Sequence, residues 1–132
     1  IKKLAQNINK NGRLIIVDDW FAVDQIGRSD LANIRNGWSL NELLPYTEVL
    51  SILKDAGFSL SCDIDLTDLQ AKRPISEIES DLLQASTKET GPGLTNQQKV
   101  IDDNLIGSLT LERLLLEGKA RYRLSIFDLI AP

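Results

Sequence analysis

The stretch Asn11-Gly12-Arg13-Leu14-Ile15-Ile16-Val17-Asp18-Asp19 decides the fold class. Asn and Gly tolerate the left-handed backbone that ends helices, so Asn11-Gly12 reads as a helix stop. Leu14 to Val17 is a continuous, β-branched apolar run closed by two aspartates. That is the pattern of a strand covered on both faces, as in a parallel α/β sheet. Upstream, Ile1, Leu4, Ala5 and Ile8 fall at the i, i+3, i+4, i+7 spacing of one helical face, so the chain opens on a helix.

Downstream, Trp20 to Leu43 breaks into scattered polar residues with Gly27, Asn33, Asn36 and Gly37 among them, which predicts a long loop with a helical turn or two around 30–35. Pro45 suits the first turn of a helix, Tyr46, Val49, Leu50, Leu53 and Ala56 share its inner face, and Gly57 ends it with Phe58 packing back. Phe58, Leu60, Cys62, Ile64 and Leu66 then alternate with Ser59, Ser61, Asp63 and Asp65, predicting a strand with one buried and one polar face. Two helices follow. Ser76 to Glu79 has capping-box form, with Ile75, Ile78, Leu82 and Ala85 as the stripe. After Gly91-Pro92-Gly93, Thr95 to Gln98 offers a second capping box. It opens a helix carrying Ile101, Leu105 and Leu109, interrupted near Gly107 and stopped at Gly118. In the last strand Tyr122, Leu124 and Ile126 alternate with Arg121, Arg123 and Ser125, and the two arginines read as its solvated face. The expected division is 1–66 as helix, strand, loop, helix and strand, 67–118 as a helical insert, and 119–132 as the final strand. An α/β sheet that begins parallel and finishes antiparallel accommodates this order.

Composition narrows the chemistry. The chain has 132 residues, 15 Lys and Arg, 19 Asp and Glu, one Cys and neither His nor Met. That length suits one domain with a real core. Without His, a Ser-His-Asp or Cys-His nucleophile system is impossible, and zinc sites lose their commonest ligand, so no metal is expected. The lone Cys62 cannot form an internal disulfide and fits a reducing, cytoplasmic setting; on the apolar side of its strand it reads as packing. A net charge of −4 without a Lys/Arg cluster argues against a nucleic-acid partner. No apolar run approaches the ~20 residues of a membrane span. The absence of Met suggests that the 132 residues are part of a longer protein.

Taken in order, Asn-Gly-Arg leading into Leu-Ile-Ile-Val-Asp-Asp, a helix closing in Lys54-Asp55-Ala56-Gly57-Phe58, a strand ending Asp65-Leu66-Thr67, and the tail Leu116-Glu117-Gly118-Lys119-Ala120-Arg121-Tyr122-Arg123-Leu124 resemble the C-terminal half of a class I S-adenosylmethionine-dependent methyltransferase of the small-molecule branch. The resemblance covers essentially the whole chain. It implies a Rossmann-like sheet whose strands five, six and seven are present, the seventh antiparallel, with a helical insert between the last two. The family's glycine-rich first loop and the acidic end of its second strand have no counterpart here. Neither Gly27/Gly37 nor Gly91/Gly93 follows a buried strand and opens a helix at the required spacing. No cofactor-binding residue is therefore assigned, and S-adenosylmethionine belongs to the complete enzyme. Strand five would be interior there, so its open edge in this chain implies either a missing N-terminal half or self-association.

Ligands of open α/β sheets sit outside the carboxyl ends of strands, which makes Asp18, Asp19, Trp20 and Phe21 the best-placed group. The resemblance puts this segment beside a small-molecule acceptor. Asp18 or Asp19 can take a proton or bind an acceptor amine, and Trp20 or Phe21 can wall the pocket or face a cationic donor. Trp38 and Tyr46 are further substrate-binding candidates. Against these stand plain structural roles: carboxylates that cap a turn, and aromatics that pack a core. The acidic run Glu77, Glu79 and Asp81 reads as an exposed helix face. Three functions remain open: the acceptor-side part of a methyltransferase, inactive without its other half; a non-catalytic α/β scaffold; and a small-ligand binding module walled by the Trp20 to Trp38 loop.

Overall fold

A computed structural model describes residues 2–87 and 95–130. The chain divides into two compact units, one of residues 1–22, 44–70 and 121–132, the other of residues 23–43 and 71–120.

The first unit is a small α/β layer. Helix α1 (Lys2–Asn7) is shorter than its apolar spacing predicts, and Asn11 takes the left-handed backbone, with a φ of 66°. Strand β1 (Arg13–Phe21) follows, then α3 (Tyr46–Asp55), β2 (Phe58–Asp65) and β3 (Ala120–Leu129). The strand order is β1-β3-β2. Strands β2 and β3 are antiparallel. The Leu129 N–H donates to the Gly12 carbonyl at 3.0 Å, setting the end of β3 beside the start of β1, also antiparallel. Both β1 and β2 therefore run against the central β3, and the sheet finishes antiparallel as the sequence predicts.

One face of this sheet is packed. Leu53 of α3, Phe58 of β2 and Phe127 of β3 are buried together, with Ala5, Ile8, Leu14, Ile16, Val49 and Leu50 against them. Each such buried side chain contributes on the order of 2 kcal/mol by leaving water. The turn at Gly57, with a φ of 92°, brings Phe58 back onto Leu53 as predicted.

Two strand expectations change. Strand β1 does not stop at Asp18-Asp19 but runs on through Trp20 and Phe21. Nor is it covered on both faces: Leu14 and Ile16 pack into the core, whereas Ile15, 59% exposed, and Val17, 47% exposed, point to the other face. In β2 the pairing slips between Leu60, opposite Phe127, and Cys62, opposite Ile126. Ser61 is the extra residue of a bulge, and its hydroxyl donates to the Ile126 carbonyl at 3.1 Å. The bulge splits the apolar alternation between the faces. Phe58 and Leu60 share the α3 face with Phe127, whereas Cys62 and Ile64 pair with Ile126 and Leu124 on the other. Asp63 and Asp65, expected on an outer polar face, are thereby turned toward α3.

The second unit is helical. Helix α2 (Arg28–Gly37) is a full helix where a loop with a turn or two was expected. Helices α4 (Ile75–Ser86) and α5 (Asn96–Leu116) follow. Ile78, Leu82 and Ala85 of α4 bury against Leu109 of α5, as their spacing predicts. The upper part of the α5 stripe stays open, with Ile101 and Leu105 exposed. Thr95 caps α5 by accepting the Gln98 N–H at 3.2 Å, while the Gln98 side chain turns away to Asp102, so half of that capping box forms. The box at Ser76 does not form. Pro74 takes the capping position and its carbonyl receives the N–H groups of Glu77 and Ile78, placing Ser76 inside the first turn. Gly91-Pro92-Gly93 lies outside the described residues.

Helix α5 passes through Gly107 without a break. A Cβ there would stand 2.9 Å from the Gly37 Cα and 3.0 Å from the Asn33 carbonyl, so the glycine permits a close crossing of α2 and α5. Around the crossing, the Asn33 amide donates to Thr110 at 3.2 Å, the Asn104 amide to the Gly37 carbonyl at 3.1 Å, and Arg113 pairs with Asp30 at 2.6 Å. Arg73 clamps Glu112 with two parallel bonds of 2.8 and 2.9 Å and reaches Asp81 at 2.8 Å. These bonds hold the Glu112 carboxyl below its usual range. Asp81 is thus a partner in an ion-pair network rather than only part of a solvated acidic face.

Candidate functional site

Because β3 runs against its neighbours, the end of β1, the end of β2 and the start of β3 meet at one end of the sheet. Asp18 to Phe21, Asp63 and Asp65, and Arg121 and Arg123 gather there. Tyr46, the first residue of α3, joins them.

Tyr46 is the centre of the group. Its ring meets the Trp20 ring edge-on, with centroids 4.7 Å apart and planes at 62°. Its hydroxyl donates to Asp63 Oδ2 at 3.2 Å. Arg123 donates to the same oxygen at 2.7 Å, and its guanidinium carbon stands 5.5 Å from the Tyr46 ring centroid. Ser125, fully buried, donates to Asp63 Oδ1 at 3.1 Å. Burial pushes the Tyr46 pKa up, a hydrogen bond with Ser125 opposes that rise, and the Asp63 charge adds to it. The indole N–H of Trp20 is buried without an acceptor among the described residues.

Asp65 completes the rim. Its carboxyl is held below the usual range by hydrogen bonds from Thr67, whose backbone N–H donates at 2.9 Å, with Arg121 3.7 Å away. Asp63 and Asp65 are therefore each beside an arginine. Among the described residues neither Asp18 nor Asp19 has such a partner. Asp18 accepts the Asp19 N–H at 2.8 Å within the strand. Asp19, next to Trp20 in β1 and so on the opposite face of the strand, is half-buried. Burial, reinforced by Asp18, pushes its pKa from 3.8 up to about 6.

Of the residues the sequence singles out, Trp20 and Tyr46 are brought together, and Asp18, Asp19 and Phe21 line the same strand end. Trp38 belongs to the helical unit, where it follows α2 with its ring edge beside Gly107. Asp63, Arg123 and Ser125 were not anticipated as partners of Tyr46. A signal for Arg123 was present, since its alternation continues into Phe127 and Leu129, a core-facing series. The Ser61 bulge that turns Asp63 inward left no mark in the alternation.

Other features of the described residues do not compete with this cluster. A cavity of about 800 Å³ in the first unit lies at the other end of the sheet, lined by Leu50, Phe58, Leu60 and Leu129 among others. Gln6, Lys54, Asp55 and Ser59 also line it, but none of the residues the sequence singles out for chemistry does. No described helix is long and apolar enough to cross a membrane, and no three described His, Cys, Asp or Glu residues gather around a metal position. Of the described glycines the sequence raises, Gly27 precedes α2 after a short 3-10 turn, and Gly37 is spent on the α2/α5 crossing.

No protein-family model matches the chain, and no curated protein matches it. Solved structures do. A protein from Galdieria sulphuraria described as a sarcosine dimethylglycine methyltransferase superposes with a TM-score of 0.60 at 16% identity, over 98% of this chain and 46% of its own. The MccD protein superposes with a TM-score of 0.56 at 13% identity, over 96% of this chain and 51% of its own. The chain spans about half the length of these structures. At such identities the likeness speaks for architecture alone: the chain has a methyltransferase-like α/β fold.

Proposed function

We propose that the chain is the acceptor-side portion of an S-adenosylmethionine-dependent methyltransferase acting on a small molecule, with β1, β2 and β3 as strands five, six and seven of its sheet. The observation that carries this reading is the convergence of Trp20, Tyr46, Asp63 and Arg123 at the carboxyl ends of β1 and β2, where α/β sheets bind ligands. The order β1-β3-β2, with a reversed central strand, supports it. The described residues do not fit the cofactor, so its site is assigned to an N-terminal half of the enzyme and no step is routed through it.

The work of this chain is then positioning. Holding an acceptor in line for transfer supplies much of a rate, and the Trp20 and Tyr46 rings, braced by Asp63 and Arg123, form a rigid wall for that purpose. Asp19, whose pKa burial raises to about 6, stands on the other face of β1 and is not part of that wall.

The test is to join the chain to the N-terminal half encoded upstream and assay methyl transfer to small amines and hydroxyl compounds. Trp20→Ala is expected to raise the acceptor KM by about tenfold or more, with cofactor affinity unchanged. A joined protein that fails to bind S-adenosylmethionine, or an acceptor KM indifferent to Trp20→Ala, overturns the reading.

A further inference from the structure

Helix α2 has two distinct sides. On one, Asp30 pairs with Arg113 of α5, Asn33 donates to Thr110, Ile34 is buried and Gly37 meets Gly107 at the crossing. Arg28, Leu31 and Arg35 follow the i, i+3, i+7 spacing of the roughly opposite side. Beyond the helix the chain doubles back. Ser39 takes the left-handed backbone, with a φ of 53°, and the Leu40 N–H donates to the Arg35 carbonyl at 2.8 Å. Glu42 and Leu43 return in this way to α2. With Val23 of the preceding 3-10 turn, they form a cavity of about 360 Å³ beside Arg28, Leu31 and Arg35. Every one of these residues belongs to the helical unit.

The charges around this cavity are unmatched. Arg13, Arg73, Arg113, Arg121 and Arg123 each pair with a carboxylate. Among the described residues the side chains of Arg28 and Arg35 pair with none, and Glu42 has no ion pair either. Two cations and one carboxylate leave a net positive charge beside the partly buried Val23, Leu31 and Leu43. Guanidinium groups orient a carboxylate, and apolar walls hold the rest of a ligand.

We propose that this cavity binds a small monocarboxylate with an apolar body. The carboxylate lies between Arg28 and Arg35, and the body rests on Leu31 with Val23 and Leu43 beside it. Glu42 disfavours a second negative charge on the ligand. A bare inorganic anion would leave the apolar floor uncovered, and a neutral analogue would leave the arginines unmatched. The proposal does not rest on the methyltransferase reading, since none of these residues belongs to the Trp20 and Tyr46 cluster.

Phenylacetate is the probe, titrated calorimetrically into the joined protein without cofactor. Saturable binding with a Kd of about 1 mM or tighter is expected. Arg28→Gln and Arg35→Gln are each expected to weaken it about tenfold, with circular dichroism unchanged because both side chains are exposed. Glu42→Gln is expected to tighten it about threefold by removing a like charge. Phenylacetamide and inorganic phosphate are each expected to bind at least about tenfold more weakly than phenylacetate. No saturable binding up to about 10 mM overturns the proposal. So does equal binding of phenylacetamide or phosphate, or an affinity indifferent to Arg28→Gln and Arg35→Gln combined. Binding is read without S-adenosylmethionine, so failure here leaves the methyltransferase reading standing, and failure of that reading leaves this one.

Discussion

Asp63 shows how far one residue's role depends on a neighbour's geometry. As one polar position among several in β2, it reads as a solvated side chain. With Ser61 bulged out, its carboxylate instead receives Tyr46, Arg123 and Ser125. Asp19 is the other residue whose setting matters, because its raised pKa ties stability to pH. Its pKa in the folded chain lies above the unfolded value, so the protonated form is favoured on folding. The associated stability is fully present below about pH 4 and is lost as pH rises toward about 6. Asp19→Asn is therefore expected to remove that loss and raise stability at neutral pH by about 1 kcal/mol, the full linkage value being reduced for a half-exposed group. Urea unfolding of both proteins at about pH 4 and about pH 7 checks it. An equal difference at the two pH values would show that Asp19 titrates normally.

Among the elements, α5 carries the clearest lesson about glycine. Its propensity cost argues for a break at Gly107, yet the helix is continuous because contact with Gly37 and Asn33 outweighs about 1 kcal/mol of propensity. Gly107→Ala is expected to destabilise the chain by about 2 kcal/mol despite alanine's better helix propensity, since the added methyl meets backbone. Gly27→Ala is the control: nothing lies within 4 Å of its would-be Cβ, and its effect is expected within about 0.5 kcal/mol. Thermal unfolding of the two variants separates these outcomes, and a neutral Gly107→Ala would contradict the close crossing. Elsewhere local signals held, as in the Thr95 cap, the Gly57 stop and the buried stripe of α4. They failed at Ser76, where Pro74 starts the helix first.

For the whole molecule, the absence of a glycine cradle among the described residues leads to a direct expectation. Titration calorimetry of the 132-residue chain with S-adenosylmethionine should show no binding, and micromolar affinity would contradict the assignment of the cofactor to another half of the enzyme. The alternation and helical spacing in the sequence by themselves determined most of the elements, their order and the composition limits on chemistry, above all the exclusion of histidine catalysis. These are local properties, written in residues a few positions apart. Tertiary structure alone decided that 28–37 is a full helix, that Gly107 is a crossing point, and that β1 is an exposed edge. It also brought Tyr46, Asp63, Arg123 and Ser125 together, residues as many as 79 positions apart in the chain. The reason is physical: bulges, strand order and close helix approach are set by packing partners distant in sequence, and no local periodicity records them.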